Sequence, residues 1–205
     1  MADETEINDL EFIELWSDPT DFSNLQDYML KIHSDIVMNK RSSAVIITRH
    51  NPIMTCGLAD KEYDANKFIL ATRGGGLTYH DPGQIITYPI LRLRDFDIDA
   101  ADYTQMLQTW IYDILKSLEF EPILMQGQTG VWIPDGKVAF IGVRIKNGVT
   151  MHGFALNLTT HLDPFKQFAV CSIGNIKVAN LNQDHRRVAG CIKRKISLEI
   201  DRLIY

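Results

Sequence analysis

The strongest guide to the fold is the Asn147-Gly148 pair, which separates two long apolar runs. The runs read KVAFIGVRI before the pair and MHGFALNL after it. Asn-Gly forms the tight two-residue turn whose twist matches that of antiparallel strands, so the pair predicts a β-hairpin. A second turn signal, Pro134-Asp135-Gly136, separates the preceding GVWI from the first run. The region from Gly130 to Phe168 is therefore predicted to be mostly strand.

Three helices are indicated by apolar residues that recur at helical spacing. The first is predicted from about Asp21 to Met38 and the second from about Tyr103 to Leu118. The tail from His185 to Leu203 is moderately helical despite Gly190. The stripe of the second helix is unbroken, which is typical of a face that packs on a core.

Two β-branched apolar runs, Ser43–Thr48 and Ile85–Leu91, predict buried strands. Pro52 and Gly57 mark a loop after the first of them. Helices and strands are mixed and several strands are joined as hairpins, so the fold class is α/β, in the form of α+β with a mixed or largely antiparallel sheet. We expect residues 1–205 to form a single domain, with residues 1–10 as a loose acidic lead-in.

Composition narrows the function classes. The net charge of −5 disfavours a broad nucleic-acid-binding face, and no apolar run is long enough for a membrane span. The acidic N-terminus resembles neither a secretory signal nor a transit peptide. Three cysteines without a C-x-x-C pair indicate a reducing compartment. We therefore expect a cytoplasmic protein without a membrane segment.

The stretch from Arg73 to Gln84, RGGGLTYHDPGQ, is the most unusual in the chain. Consecutive glycines let a ligand lie against the backbone, and their N–H groups can hold a carbonyl or an anion. The residues that then supply polar tips beside an apolar channel are Thr78, Tyr79, His80 and Gln84. The alternative interpretation is a simple glycine-rich turn.

Three further segments offer candidate site residues. Lys137 opens an otherwise apolar strand, although a solvated hairpin lysine would also fit that position. Gly153 and Ala155 put small residues on one face of a strand, which leaves room for the tail of a ligand. The alternative is that this strand packs tightly against another element. A single histidine such as His152 is more often a core or surface residue with its hydrogen bonds satisfied than a site residue. Cys171 enters a turn of small residues, where it is either a nucleophile or a small buried apolar residue.

Together these segments resemble the lipoyl(octanoyl) transferases. The family pattern is Arg-Gly-Gly-x-x-Thr-aromatic-His-Gly-Pro-Gly-Gln, then a strand with Lys and Gly-x-Arg, then His-Gly-x-Ala-x-Asn, then a cysteine. This chain has RGGGLTYHDPGQ, KVAFIGVRI, HGFALNL and Cys171 in that order. The resemblance spans about Phe22 to Leu181. It implies the fold of biotin and lipoate ligases, which is related to the catalytic domain of class II aminoacyl-tRNA synthetases.

The resemblance also implies roles for individual residues. Cys171 matches the nucleophile and Lys137 its partner. The residues that match the acyl-binding segments are Arg73, Gly74, Gly75, Gly76, Leu77, Thr78, Tyr79, His80, Phe140, Ile141, Gly142, Gly153, Phe154 and Ala155. Three positions depart from the family pattern: this chain has Asp81 where the family has Gly, Phe140 where it has a small residue, and Val170 where it has Pro. Phe140 is expected to narrow the acyl site.

The implied reaction moves an octanoyl or lipoyl group from acyl carrier protein to a lysine through a cysteine thioester. The acceptors are lipoyl domains of 2-oxoacid dehydrogenases and the glycine cleavage H protein, and neither a cofactor nor a metal is needed. A nearby ammonium would stabilise the thiolate, and the Lys137 amine would carry protons. Basic residues for docking an acidic carrier occur at Arg144 and Lys146 and in a tail cluster between 186 and 195.

Two other functions remain open at this point. An ATP-dependent lipoate–protein ligase would share the fold, would need no nucleophilic cysteine, and is favoured by the His-Asp step at Asp81. A non-catalytic module that binds acyl groups or carriers would need neither Cys171 nor Lys137.

Overall fold

The computed structural model describes residues 10–60, 63–167 and 176–204. The helices are α1 (Phe22–Val37), α2 (Tyr103–Ser117) and α3 (His185–Ile204). The strands are β1 (Glu11–Thr20), β2 (Ala44–His50), β3 (Ile53–Cys56), β4 (Ile69–Leu70), β5 (Leu77–His80), β6 (Gln84–Ile90), β7 (Val131–Ile133), β8 (Gly136–Lys146) and β9 (Val149–Asn157). Short 3-10 helices span Leu93–Phe96 and Asp163–Gln167.

Two sheets are formed in the described part of the chain. The larger has the strand order β1-β2-β6-β9-β8-β7, and the smaller has the order β4-β3-β5. In the larger sheet β1 runs parallel to β2, and every other neighbouring pair is antiparallel. The sheet is mixed and mostly antiparallel, as the sequence predicts.

Helices cover both faces of the larger sheet, so its central strands are buried on both sides. α1 packs through Leu25, Met29, Ile32 and Ile36 on a cluster that includes Ile46 and Ile86. α2 and α3 share a second cluster with the opposite face, in which Trp110, Ile111 and Ile192 are buried. Accordingly β2, β6 and β9 are buried along almost their whole length.

The predicted helices and the hairpin are confirmed. Asp21 caps α1 by accepting a hydrogen bond from the backbone N–H of Asn24 at 2.9 Å. Asn147 and Gly148 have φ values of 54° and 72°, as the tight turn between β8 and β9 requires. No helix in the described ranges has the length and apolar character to cross a membrane.

Three local predictions were wrong or incomplete. β1 is absent from the sequence prediction, because its half-exposed, charged sequence lacks a clear pattern. β3 lies in the predicted loop after β2 and is held by pairing with β5. Strand structure ends at Asn157, and Asp163–Gln167 forms a 3-10 helix where strand was predicted. The acidic lead-in at residues 1–9 lies outside the described residues.

Candidate active site

An apolar cavity of about 40 Å³ lies between the two sheets. Its walls come from the start of α1, the loop at Arg73, and strands β5, β6, β8 and β9. The lining residues are Phe22, Arg73, Thr78, His80, Ile86, Tyr88, Phe140, Ile141, Gly142, His152, Gly153, Phe154 and Ala155.

Most of the predicted acyl-site residues meet at this cavity. Those that line it are Arg73, Thr78, His80, Phe140, Ile141, Gly142, Gly153, Phe154 and Ala155. Gly74, Gly75, Gly76, Leu77 and Tyr79 are not among the lining residues. Tyr79 instead meets the ring of Phe165 edge-on, with centroids 5.7 Å apart. Within the segment from Arg73 to His80, some residues therefore line the cavity and the others lie behind its wall.

The glycine-rich loop is folded around the Arg73 side chain. The guanidinium donates to the carbonyls of Gly74 and Gly76 at 3.0 and 2.9 Å. It also donates to the Thr55 hydroxyl at 2.9 Å, which ties the loop to β3. A Cβ at Gly142 would lie 2.9 Å from Arg73 Cδ, so this glycine makes room for the arginine. These contacts make the glycines a support for Arg73, which itself lines the cavity.

The β9 wall contains a break in its pairing with β6. A Cβ at Gly153 would lie 2.2 Å from the carbonyl oxygen of Thr87, so no other residue fits there. Its neighbour His152 has a φ of 58°. Gly153 is therefore a site of tight packing between strands, which was one of the two interpretations of the sequence. Gly153 and Ala155 also line the cavity.

Lys137 is fully buried, so the alternative of a solvated hairpin lysine is wrong. Its Nζ donates to the carbonyl oxygen of Thr129 at 2.8 Å. The same atom lies 4.6 Å from the ring centroid of Trp132 and 5.0 Å from that of Phe140. A Cβ at Gly130 would lie 2.6 Å from Lys137 Cε, so this glycine clears the space that the side chain occupies. Because Phe140 also lines the cavity, the ammonium lies next to the cavity wall.

Cys171 and Val170 lie outside the described residues. Cys56 is buried, and its Sγ donates to the carbonyl oxygens of Gly57 and Asp60 at 3.3 Å. Burial raises the pKa of the Cys56 thiol, and the nearby Asp60 charge raises it further. Cys191 is half-buried on α3 beside the core. Cys56 therefore has the environment of an inert structural thiol.

Three buried histidines lie at or next to the cavity: His80 and His152 line it, and the His50 ring contacts the rings of His80 and Tyr88. Burial lowers the pKa of His50 to about 4 and the pKa values of His80 and His152 to about 3. His50 Nε2 shares a hydrogen bond with the Tyr88 hydroxyl at 2.9 Å, and His152 Nε2 shares one with the Thr72 hydroxyl at 2.9 Å. The trio is thus neutral near pH 7 and suits an uncharged ligand.

Asp81, which departs from the family pattern, has a structural position. One carboxylate oxygen accepts from the Gly83 backbone N–H at 2.9 Å, and the other accepts from the His161 N–H at 2.8 Å. Both oxygens are therefore used in fixing the turn before β6. Asp81 is not among the cavity-lining residues.

Four lining residues were missed by the sequence analysis: Phe22, Ile86, Tyr88 and His152. His152 belongs to the HGFALNL motif, but a single histidine in a strand predicts a core or surface residue more often than a site residue. The other three come from α1 and β6, where apolar periodicity marks them only as core. Their place at the cavity follows from the packing of α1 on the sheet, which no local pattern reports.

Comparisons with known proteins agree with this geometry. Residues 18–190 match the family model of the lipoyl protein ligase A/B catalytic domain. An octanoyltransferase of Paenarthrobacter aurescens is 33% identical over 190 residues, which covers 87% of this chain and 85% of the relative. An octanoyltransferase of Clavibacter sepedonicus is 35% identical over 165 residues, covering 74% of this chain and 71% of the relative.

Solved structures share the fold. Lipoate-protein ligase A bound with ATP superposes with a TM-score of 0.67 at 18% identity, covering 94% of this chain and 85% of the ligase. A biotin acetyl coenzyme A carboxylase synthetase of Helicobacter pylori gives a TM-score of 0.55 at 16% identity, covering 93% and 75%. The predicted lipoate and biotin ligase fold is confirmed.

Proposed function

Because the chain belongs to the lipoyl protein ligase A/B catalytic domain family and to its octanoyltransferases, we propose that it moves an octanoyl or lipoyl group from acyl carrier protein to a protein lysine. As an octanoyltransferase it is an acyltransferase of lipoate biosynthesis, so the alternative of a non-catalytic binding module is wrong. The proposed acceptors are lipoyl domains of 2-oxoacid dehydrogenases and the glycine cleavage H protein. In the proposal residues 1–205 act as one catalytic domain in the cytoplasm.

The buried position of Lys137 beside the apolar cavity supports this proposal most directly. Burying an ammonium is costly, so a fully buried lysine needs a reason. Thr129, Gly130 and the rings of Trp132 and Phe140 together shape the space in which its Nζ lies. An ammonium at the wall of an acyl site is suited to stabilise a thiolate and to pass a proton.

In the first half-reaction the Cys171 thiolate attacks the carbonyl carbon of the acyl-carrier thioester. The new carbon–sulfur bond forms to Cys171 while the bond to the carrier sulfur breaks. The departing thiolate takes a proton from the Lys137 ammonium, which becomes a neutral amine. The acyl group is now a thioester of Cys171, and its alkyl chain occupies the cavity.

In the second half-reaction the acceptor lysine, as a neutral amine, attacks the Cys171 thioester. The amide bond forms and Cys171 leaves as a thiolate. The proton lost by the attacking nitrogen passes to the neutral Lys137 amine, which restores the starting state. Each half-reaction exchanges one acyl bond for another, so the cycle needs neither an added cofactor nor ATP.

The cavity supplies the acyl-binding part of the proposal. Its lining is largely apolar, the lining histidines His80 and His152 are neutral near pH 7, and Gly142 and Gly153 add no side chain to its walls. We assign the acyl chain to this cavity, with Phe140 at the wall nearest Lys137. Gly74 and Gly76 support this site because their carbonyls accept hydrogen bonds from Arg73.

The test is transfer from octanoyl-acyl carrier protein to a recombinant lipoyl domain, followed by intact mass. Octanoylation of the domain without ATP is expected, and a second arm supplies free octanoate with ATP. Product in the second arm alone would identify the chain as a ligase and overturn the proposal.

A further inference from the structure

The loop between α2 and β7 supplies an acceptor for the buried Lys137 ammonium, although most of this loop is exposed. Its base is closed by two backbone hydrogen bonds between Ile123 and Trp132, at 2.8 and 3.0 Å. Residues 123–129 are exposed or half-buried. Even so, the Thr129 carbonyl oxygen accepts from Lys137 Nζ at 2.8 Å. Because exposed loops are ordinarily the more mobile parts of a protein, a fixed distance to the ammonium requires a further contact that holds the loop.

Gln108 provides this contact from α2. Its Nε2 donates to the carbonyl oxygen of Gly130 at 3.1 Å and makes a longer contact with that of Gln128 at 3.4 Å. The Gln108 side chain is 8% exposed, and it is the only amide among the buried side chains of α2. Both loop atoms are acceptors, so the NH₂ end of the amide must face them, and its two N–H groups match the two carbonyls. The buried amide therefore ties α2 to the loop on both sides of Thr129.

The partners of the loop carbonyls alternate along the backbone. The carbonyls of Gln128 and Gly130 meet Gln108, and the Thr129 carbonyl between them meets Lys137. This is the order expected of an extended segment, in which successive groups face opposite sides. The segment is thus held by α2 on one side while it holds the ammonium on the other. Loss of the contact with α2 would let the Thr129 carbonyl move away from Nζ.

We propose that Gln108 is a positioning residue, which holds the Thr129 carbonyl against the Lys137 ammonium. The proposal rests on the proposed function, which gives Lys137 its role in proton transfer. Gln108 acts through the loop and is not among the residues that line the acyl cavity. A displacement of about 1 Å at a reacting group can cost about a hundredfold in rate, so a shift of this loop should change transfer as well as stability.

The first readout is the exchange of the Lys137 ammonium protons with water, followed by nuclear magnetic resonance of protein that contains isotope-labelled lysine. Lys137→Arg lacks this signal and so identifies it. In the wild type, a buried ammonium that donates to a fixed carbonyl should exchange slowly. Gln108→Met keeps an unbranched side chain of similar length and removes both N–H groups. Exchange in this variant should be about fivefold to tenfold faster, as expected for the loss of one hydrogen bond.

The second readout is the rate of octanoyl transfer in a single turnover. Transfer by Gln108→Met should be about tenfold to a hundredfold slower than in the wild type. When Gln108→Met is combined with Lys137→Ala, it should change the residual rate by less than about twofold, because the amide acts through the lysine.

Gln105→Met is the matched control. Gln105 lies one turn earlier on α2 and borders the same surface groove as residues 124–129. Its side chain is exposed, and in the described part of the chain no hydrogen bond joins its amide to the loop. Both readouts should stay at their wild-type values. A merely structural role for Gln108 would lower thermal stability and leave ammonium exchange in the folded protein unchanged.

The outcomes separate the two claims. An unchanged exchange rate in Gln108→Met, or an equal change in Gln105→Met, would overturn the positioning role. An equal loss of transfer with and without Lys137 would overturn it as well. Transfer by Lys137→Ala at the wild-type rate would instead overturn the role of this lysine in the proposed function, and with it the need to position the ammonium. If Gln108→Met does not fold, Gln108→Leu removes the same donors with a different apolar shape and is held to the same results.

Discussion

Phe140 gives the sharpest prediction about substrate range. Its ring lines the cavity, lies 5.0 Å from Lys137 Nζ, and stacks on Phe165 with centroids 5.3 Å apart. The family pattern has a small residue at this position. Phe140→Ala is therefore expected to enlarge the acyl site on the side nearest the proposed reaction centre.

The magnitude follows from the transfer of alkyl groups out of water. Each buried methylene is worth about 0.8 kcal/mol, which is about fourfold in kcat/KM. For each further methylene that the enlarged cavity accepts, kcat/KM should rise by about this factor relative to octanoyl. Loss of the ring should also cost about 3 kcal/mol of unfolding free energy, at the low end for Phe→Ala because the ring already borders a cavity.

The assay compares kcat/KM across acyl-carrier substrates that are shorter and longer than octanoyl. Phe165→Ala is the control, because it removes the stacked partner but leaves the Phe140 ring on the cavity wall. The optimum should move to longer chains in Phe140→Ala and stay in Phe165→Ala. An identical length profile in Phe140→Ala and the wild type would refute a contact between this ring and the chain.

Three further predictions concern proton transfer, docking and the shape of the lysine pocket. Lys137→Arg should lose most single-turnover transfer, since arginine keeps the charge but does not release a proton; near-normal rates would rule out the acid–base role. Charge reversal at Arg144 and Lys146 should raise KM for the acyl carrier more than it lowers kcat, and the rise in KM should be smaller at high salt. An equal loss of activity on the acyl carrier and on a minimal thioester without a carrier protein would contradict docking. Gly130→Ala should slow transfer steeply, because its Cβ would lie 2.5 Å from the Ala139 carbonyl oxygen and 2.6 Å from Lys137 Cε and would displace both from their places in β8. Gly127→Ala, also at positive φ but with nothing within 4 Å, should cost stability alone, and equal transfer rates in the two variants would contradict this.

Local patterns predicted the regular elements well. The apolar stripes of α1 and α2 and the Asn147-Gly148 turn depend on neighbours in sequence, and the structure has all of them. β1 and β3 depend on pairing with distant strands, and their sequences carry little signal of their own.

The candidate site was predictable where a motif carried it. Arg73, His80 and Gly153 were found from the family pattern, and all three line the cavity. Phe22 and Tyr88 were not found, because periodicity reports that a residue is buried but not which cavity it borders. The support of Lys137 by Thr129 and Gly130 was equally invisible, since it arises from a loop that meets β8 only in the folded chain.

The account's central claim is that Cys171 carries the acyl group between donor and acceptor. The most direct measurement is intact mass after incubation with octanoyl-acyl carrier protein alone, followed by peptide mapping. The wild type, Cys56→Ala and Cys191→Ala should each gain one octanoyl group on Cys171 and pass it to an added lipoyl domain. Cys171→Ala should gain none and should not turn over. Turnover of Cys171→Ala near the wild-type rate would contradict the covalent mechanism.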